Sequence, residues 1–206
     1  MVRRWRLLAR APRTPAPSTS RLIEVWGRML VTECQTLDQI LNSHRMALAH
    51  DFNAYRNHAY RVLNLCSILQ PVSDEQMAKL AVSAAFHDLG MWTHRTFDYL
   101  EPSACQACEY VNDTGNAGWQ GEIAAVIHQH HKITKCRGES TVLAEVFRRA
   151  DWIDVSRGVI SFGIARARLA EVFCRWPDAG LHKLLIRRFV ARLGTHPWAP
   201  LPMVKI

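Results

Sequence analysis

In four places along this 206-residue chain an apolar helical stripe ends in a histidine or an aspartate. Val62, Leu65, Cys66 and Leu69 repeat at helical spacing, and the position four before Val62 is His58. In AVSAAFHDLG, Leu80 and Ala84 carry the stripe, and the positions three and four beyond Ala84 are His87 and Asp88. Ile123 and Ile127 lead to His130 and His131, and Leu143 and Phe147 lead to Asp151. A buried polar group without partners is costly or changes its protonation, so bundles keep such groups inside where they meet one another or a ligand. Taken singly, each is a hydrogen-bonded core histidine or an arginine-paired aspartate. Taken together, two imidazoles and two carboxylates on facing stripes make the donor set of a divalent metal: His58, His87, Asp88 and Asp151. Asp154, one turn further on, competes for the last place, with pairing to Arg148 or Arg157 as its alternative role.

The elements that must position these residues are helices. Periodicity after the first 20 residues is helical nearly throughout, and no alternating stretch bounded by turn residues suggests a sheet, so the sequence predicts an all-α bundle. Helices are expected over about 36–48 and from near Phe52 to Leu69, closed by Pro71. Ser73 and Gln76 have capping-box spacing for the next helix, and Gly90 stands where a left-handed C-terminal cap would close it. Pro102 opens a helix to about Asn112, a turn follows to Gly118, and Trp119 to His131 is helical again. After the break at Gly138 come a helix over about 140–156 and one or two more within 159–193. Pro197, Pro200 and Pro202 make the end an extended strap.

Composition sets the frame. With 49% hydrophobic and 21% charged residues the chain is globular material, and its length suits one domain, expected over 21–206. No apolar run approaches the length of a membrane span, so no membrane partner is expected. The net charge of +8 is concentrated in Arg3, Arg4, Arg6, Arg10, Arg13 and Arg21, all before the first acid, Glu24, which leaves +2 for the rest. That removes the case for a specific nucleic-acid partner. Residues 1–20, rich in Arg, Pro and Ser, read as a disordered basic extension, with a transit peptide or polyanion contact as alternatives. Six irregularly spaced cysteines read as reduced thiols of a cytoplasmic protein, with Cys34, Cys66 and Cys174 expected in the core. Cys105 and Cys108 have CxxC spacing, but without a second pair they are i, i+3 neighbours on one helix face more readily than a zinc site completed by Cys136.

The order His58 in RNHAYR, His87-Asp88 in AAFHDLG and Asp151 in RRADWID resembles the HD superfamily of metal-dependent phosphohydrolases over about residues 50–160. The resemblance implies an HD-domain-like helical bundle with His58, His87, Asp88 and Asp151 as metal ligands. HHKI at 130–133 is similar to the histidine pair that many members place at the site. Dinuclear members carry a further histidine after the HD helix. EPSACQACEYV offers Ser103 at that place, and His94 lies too close to the HD pair, so one ion is expected rather than two. HHKITKCRGES stands where cyclic-di-GMP hydrolases carry a GYP loop, which argues against that substrate.

The chemistry implied is that of one open-sided divalent ion, manganese, iron, cobalt, nickel or magnesium, with zinc a further candidate. Asp88 is expected to ligate with one oxygen and orient a nucleophilic water with the other, while His131 or His130 serves the departing oxygen. Of the pair, the spacing from Ala124 and Ile127 favours His131 as the inward ring with His130 at its edge. Arg56, Arg61, Lys132 and Lys135 are candidates for an anion clamp. Trp92, Phe97 and Tyr99 are aromatic candidates for covering the mouth. The expected activity is hydrolysis of a phosphate ester, mono- or diester, on a nucleotide or small phosphorylated metabolite. The alternatives are a mixed-valence di-iron oxygenase or a nitrile or cyanamide hydratase of the same superfamily, and a regulatory module with a relict site.

Overall fold

A computed structural model describes residues 29–138, 142–195 and 198. The basic extension 1–20 lies outside the described residues, as does the Pro-rich end apart from Trp198. Regular structure in the described residues is helical, with ten α-helices and two short 3-10 turns, so the fold is an all-α bundle. The helices are α1 (Gln35–Ser43), α2 (Arg45–Leu48), α3 (Phe52–Leu69), α4 (Asp74–Phe86), α5 (Gly90–Thr93), α6 (Leu100–Asp113), α7 (Gln120–Gln129), α8 (Val142–Val155), α9 (Arg166–Arg175) and α10 (Leu181–Thr195). No described helix is long and apolar enough to cross a membrane.

Local chemistry sets most boundaries. Pro71 disfavours helical geometry at the residue before it, and Gln70 is extended (φ −157°, ψ 153°), which ends α3 at Leu69. The Ser73 hydroxyl accepts the Gln76 N–H at 3.2 Å while the Gln76 side chain accepts the Ser73 N–H at 2.9 Å, the reciprocal cap expected from the spacing. α6 starts at Leu100, two residues before Pro102, because the third helical position also has no backbone acceptor for its N–H and tolerates proline. The segment expected as one helix over 36–48 is two, broken at His44 (φ −102°, ψ 13°).

Gly90 differs from expectation. It is not a left-handed cap but the first residue of α5. A Cβ there would lie 2.7 Å from the Tyr99 carbonyl oxygen and 2.9 Å from Ser103 Oγ. The missing side chain lets α5 approach α6, and Ser103 Oγ accepts the Gly90 N–H at 2.9 Å in the gap. Cys174 also departs from expectation: α9 buries Leu169 and Val172, and a residue two beyond Val172 points to solvent.

α3 is the central helix, packed against α4 on one side and α8 on the other. α7 lies against α6 and α8 and also reaches α4. Tyr55, Leu63, Leu65, Leu80, Ile127 and Phe147, all fully buried, knit α3, α4, α7 and α8 into one core. The polar ends of their stripes therefore meet at one level inside it.

Candidate metal centre

His58 comes from the middle of α3, His87 and Asp88 from the turn that closes α4, His130 and His131 from the turn after α7, and Asp151 and Asp154 from the last turns of α8. His58 Nε2 lies 2.9 Å from His87 Nε2, 3.5 Å from Asp151 Oδ1 and 3.7 Å from Asp88 Oδ2. His87 Nε2 lies 3.4 Å from Asp88 Oδ2. Two ligand atoms about 2.1 Å from one ion and at right angles are about 3 Å apart, which is the scale of these separations. His58, His87, Asp88, Asp151 and His130 are all almost completely buried.

The hydrogen bonds behind the rings show which atoms face inward. His87 Nδ1 lies 3.0 Å from the Ala84 carbonyl and His130 Nδ1 2.7 Å from the Ile127 carbonyl. A carbonyl only accepts, so Nδ1 carries a proton in both rings, and in the neutral ring each Nε2 presents a lone pair. His58 Nδ1 likewise donates to Asp154 Oδ2 at 2.6 Å. Two imidazole lone pairs therefore face each other at 2.9 Å, and His130 Nε2 faces the Asp88 Oδ1 lone pairs at 3.3 Å. Asp88 Oδ1, Asp151 Oδ1 and His130 Nε2 have no hydrogen-bond partner. Acceptors crowded in this way can share only a proton or a cation.

The two carboxylates at the centre divide in protonation. Burial opposes ionisation of Asp88, but a proton on the His87 or His130 ring, shared with the carboxylate, outweighs it and holds the carboxyl well below the usual range. Asp151 goes the other way: burial outweighs His130, and the carboxylates of Asp88 and Asp154 add to it, raising the pKa to about 8. Burial lowers the His58 pKa against the pull of Asp154, favouring the neutral imidazole that a metal requires.

Two ligand groups emerge, His58 with His87 and Asp88, and Asp88 with His130 and His131, so Asp88 belongs to both. The expectation that only one of the histidine pair faces the site does not hold: His130 keeps helical backbone angles (φ −63°, ψ −27°) after α7 ends at Gln129, yet both rings reach Asp88 Oδ1, at 3.3 and 3.9 Å. Their centroids are 3.9 Å apart. His130 is the deeper ring, reversing the expected order, and His131 is partly exposed, with Nε2 hydrogen-bonded to the Tyr99 hydroxyl at 2.6 Å and Nδ1 3.7 Å from Asp151 Oδ2.

Asp154 proves to belong behind the site rather than with Arg148 or Arg157. Arg148 is engaged with Glu145 through two hydrogen bonds of 2.8 Å. Asp154 instead takes His58 on one side and the buried guanidinium of Arg61 on the other, through Nε and, at 2.9 Å, through Nη2. Burial would raise the Asp154 pKa, but these hydrogen bonds pull it down to about 2. Arg61 is thereby withdrawn from the expected anion clamp, since its remaining N–H groups donate to the Trp176 and Pro177 carbonyls. Arg56 is withdrawn too, held in two hydrogen bonds by Asp38. Lys135 lines a different pocket with Gln70 and Arg149, and the Lys132 ammonium makes no ion pair among the described residues.

Tyr55 supports the HD turn, accepting the Asp88 N–H at 3.2 Å and donating to the Ala85 carbonyl at 3.1 Å. Of the aromatic trio, Tyr99 reaches the site, whereas Trp92 is buried against Tyr55 and donates to Asp51. No cysteine joins a ligand cluster among the described residues. No protein-family model, curated protein or solved structure matches the chain.

Proposed function

We propose that the chain is a metal-dependent phosphohydrolase of the HD type, with a divalent ion held by His58, His87, Asp88 and Asp151. The observation that carries the metal is the convergence of buried ring nitrogens and carboxylate oxygens from three imidazoles and two carboxylates, three of them without a hydrogen-bond partner. Hydrolysis rests on the His, His-Asp, Asp order that the chain shares with that superfamily, on the same helical setting. A bound divalent ion supplies Lewis acidity, which lowers the pKa of a water and polarises a phosphoryl oxygen.

The residues divide the remaining tasks. Asp154, anchored by Arg61, keeps His58 in the Nδ1–H form so that Nε2 faces the centre. Asp88 Oδ1 lies 3.3 Å from His130 Nε2 and 3.9 Å from His131 Nε2, where it can orient a nucleophilic water through a hydrogen bond. The Tyr99 hydroxyl hydrogen-bonds His131 Nε2 at 2.6 Å and fixes that partly exposed ring, whose other nitrogen can hydrogen-bond a departing oxygen. Phe147 and Tyr55 pack against the His87 ring and keep bulk water from the inner wall.

The group of Asp88, His130 and His131 favours a second reading, a two-ion centre, and with iron this would admit the oxygenase chemistry of the superfamily. Metal content of protein purified without chelator, followed by a screen of phosphorylated metabolites, tests both. Phosphate release that depends on the metal and disappears in Asp88→Asn supports the first reading. Two irons with oxygen uptake and no phosphate release would replace it with the second.

A further inference from the structure

Beside the metal centre, the 3-10 turn Ala49–Asp51, α5 and α10 enclose a pocket of about 300 Å³. Its walls carry Arg95, Arg187 and Arg188, together with His50, Asp51 and Trp92. Three arginines line it with a single carboxylate, and that carboxylate is already engaged: Asp51 accepts from Trp92 Nε1 at 3.0 Å and lies 3.2 Å from His50 Nε2. Among the described residues no carboxylate comes within ion-pairing distance of Arg95, Arg187 or Arg188, whereas Arg56, Arg61 and Arg148 each have one.

Arg188 is the most telling of the three. Its guanidinium lies over the Trp92 ring, 5.1 Å from the centroid, and donates to the Met91 carbonyl at 3.2 Å. It is half-buried without a counter-charge in contact. Burial lowers its pKa, Asp51 offsets part of that, and the neighbouring Arg187 adds to it. A partly desolvated cation of this kind regains stability when an anion arrives.

The backbone points the same way. Two non-glycine residues on this pocket's wall have positive φ: Ala49 (φ 47°, ψ −121°) and Arg95 (φ 52°). Neither is a residue type that favours such geometry, and backbone held off its preferred basins concentrates at binding sites. At Arg95 this conformation sets the side chain at the pocket rim directly after α5.

We infer that this pocket is a binding site for the phosphate group of a small soluble molecule, with Arg188 as its anchor and Arg95 and Arg187 closing from the rim. Planar guanidiniums pair with oxyanions through two N–H groups each, and three of them around one pocket suit the three oxygens and higher charge of a phosphate over a carboxylate or halide. The volume equals that of about ten waters, enough for a phosphate with a small organic remainder. A concave pocket of that size does not suit a polyanion lying across a surface. The inference does not depend on hydrolysis at the metal centre.

The test is calorimetric titration of the metal-loaded full chain with sulfate and with inorganic phosphate, at ionic strength held constant with chloride. Sulfate reports tetrahedral dianion recognition with little affinity for the metal. Saturable binding of both is expected. Arg95→Gln and Arg187→Gln, both at exposed positions, should each weaken sulfate binding about tenfold without lowering the melting temperature, and Arg188→Gln should abolish it. Binding should persist in Asp88→Asn. Absence of sulfate binding in the wild type, equal affinity in the Arg95→Gln/Arg187→Gln double variant, or loss in Asp88→Asn with retention in that double variant would each overturn the inference.

Discussion

Replacing Asp154 by asparagine preserves shape and removes one buried charge, which separates two roles of the same carboxylate. Its pKa, drawn from 3.8 to about 2 by His58 and Arg61, corresponds to about 2.5 kcal/mol of preference for the ionised form. The variant leaves Arg61, which is only 1% exposed, without its counter-charge, and breaking such a pair typically costs roughly 3–5 kcal/mol. For a domain of this size that is a fall in melting temperature on the order of 10 °C. Separately, His58 loses the anion that holds its ring, and an outer-shell loss of this kind costs roughly 10- to 100-fold in metal affinity. Thermal melts of chelated protein and manganese titration measure the two effects. The double variant Arg61→Met/Asp154→Leu distinguishes them: it should recover stability, since neither charge remains, and should not recover metal affinity. The sign of the pH effect follows from the depressed pKa, so this contribution is complete above about pH 4 and is lost as pH falls through about 2. Manganese affinity within threefold of wild type in Asp154→Asn would refute the orienting role.

Asp151 titrates in the opposite sense. Between its ordinary 3.8 and about 8 it binds a proton in the metal-free folded chain that the unfolded chain lacks, so it lowers stability as pH rises through that window; a metal must displace this proton, so titrations should show affinity rising about tenfold per pH unit and levelling above about pH 8. A flat profile from pH 5 to 8 would contradict the assignment. His130→Ala should reduce metal affinity at least tenfold by removing the unpaired nitrogen beside Asp88, whereas His131→Ala, whose Nε2 is engaged by Tyr99, should cost less; the reverse ranking would refute the depth assigned to the two rings. Gly90→Ala should destabilise the chain by roughly 1–3 kcal/mol in denaturant titration, since its Cβ meets a backbone carbonyl that cannot rotate away, and unchanged stability would show that α5 has room to move.

What was legible in the sequence is what local spacing controls. The cap at Ser73 depends on two residues three apart, and the stop at Leu69 depends on Pro71, so both were expected where they stand. The inward stripes of α3, α4 and α8 located His58, His87, Asp88 and Asp151, because a helix that buries one face commits every residue on that face. Asp154 and Arg61 were visible as the next turn after Asp151 and after His58 on those same faces. Their pairing across 93 positions was not, since it depends on how α3 packs against α8. Gly90 was misread because a glycine at a helix end signals a left-handed cap locally, whereas here the demand is tertiary, the approach of α6. The order of His130 and His131 was not legible for a related reason: which ring lies deeper against Asp88 depends on how the end of α4 packs against the turn after α7. The arginines of α10 carried no spacing signal at all, and only the placement of that helix beside α5 brings Arg188 to Trp92.

Anomalous diffraction at the manganese edge, from crystals of the full chain grown with manganese, tests the central claim most directly. The account predicts a peak about 2.0–2.4 Å from His58 Nε2, His87 Nε2 and a carboxylate oxygen of both Asp88 and Asp151. A peak elsewhere on the chain, or none there with the four side chains still converged, would contradict it.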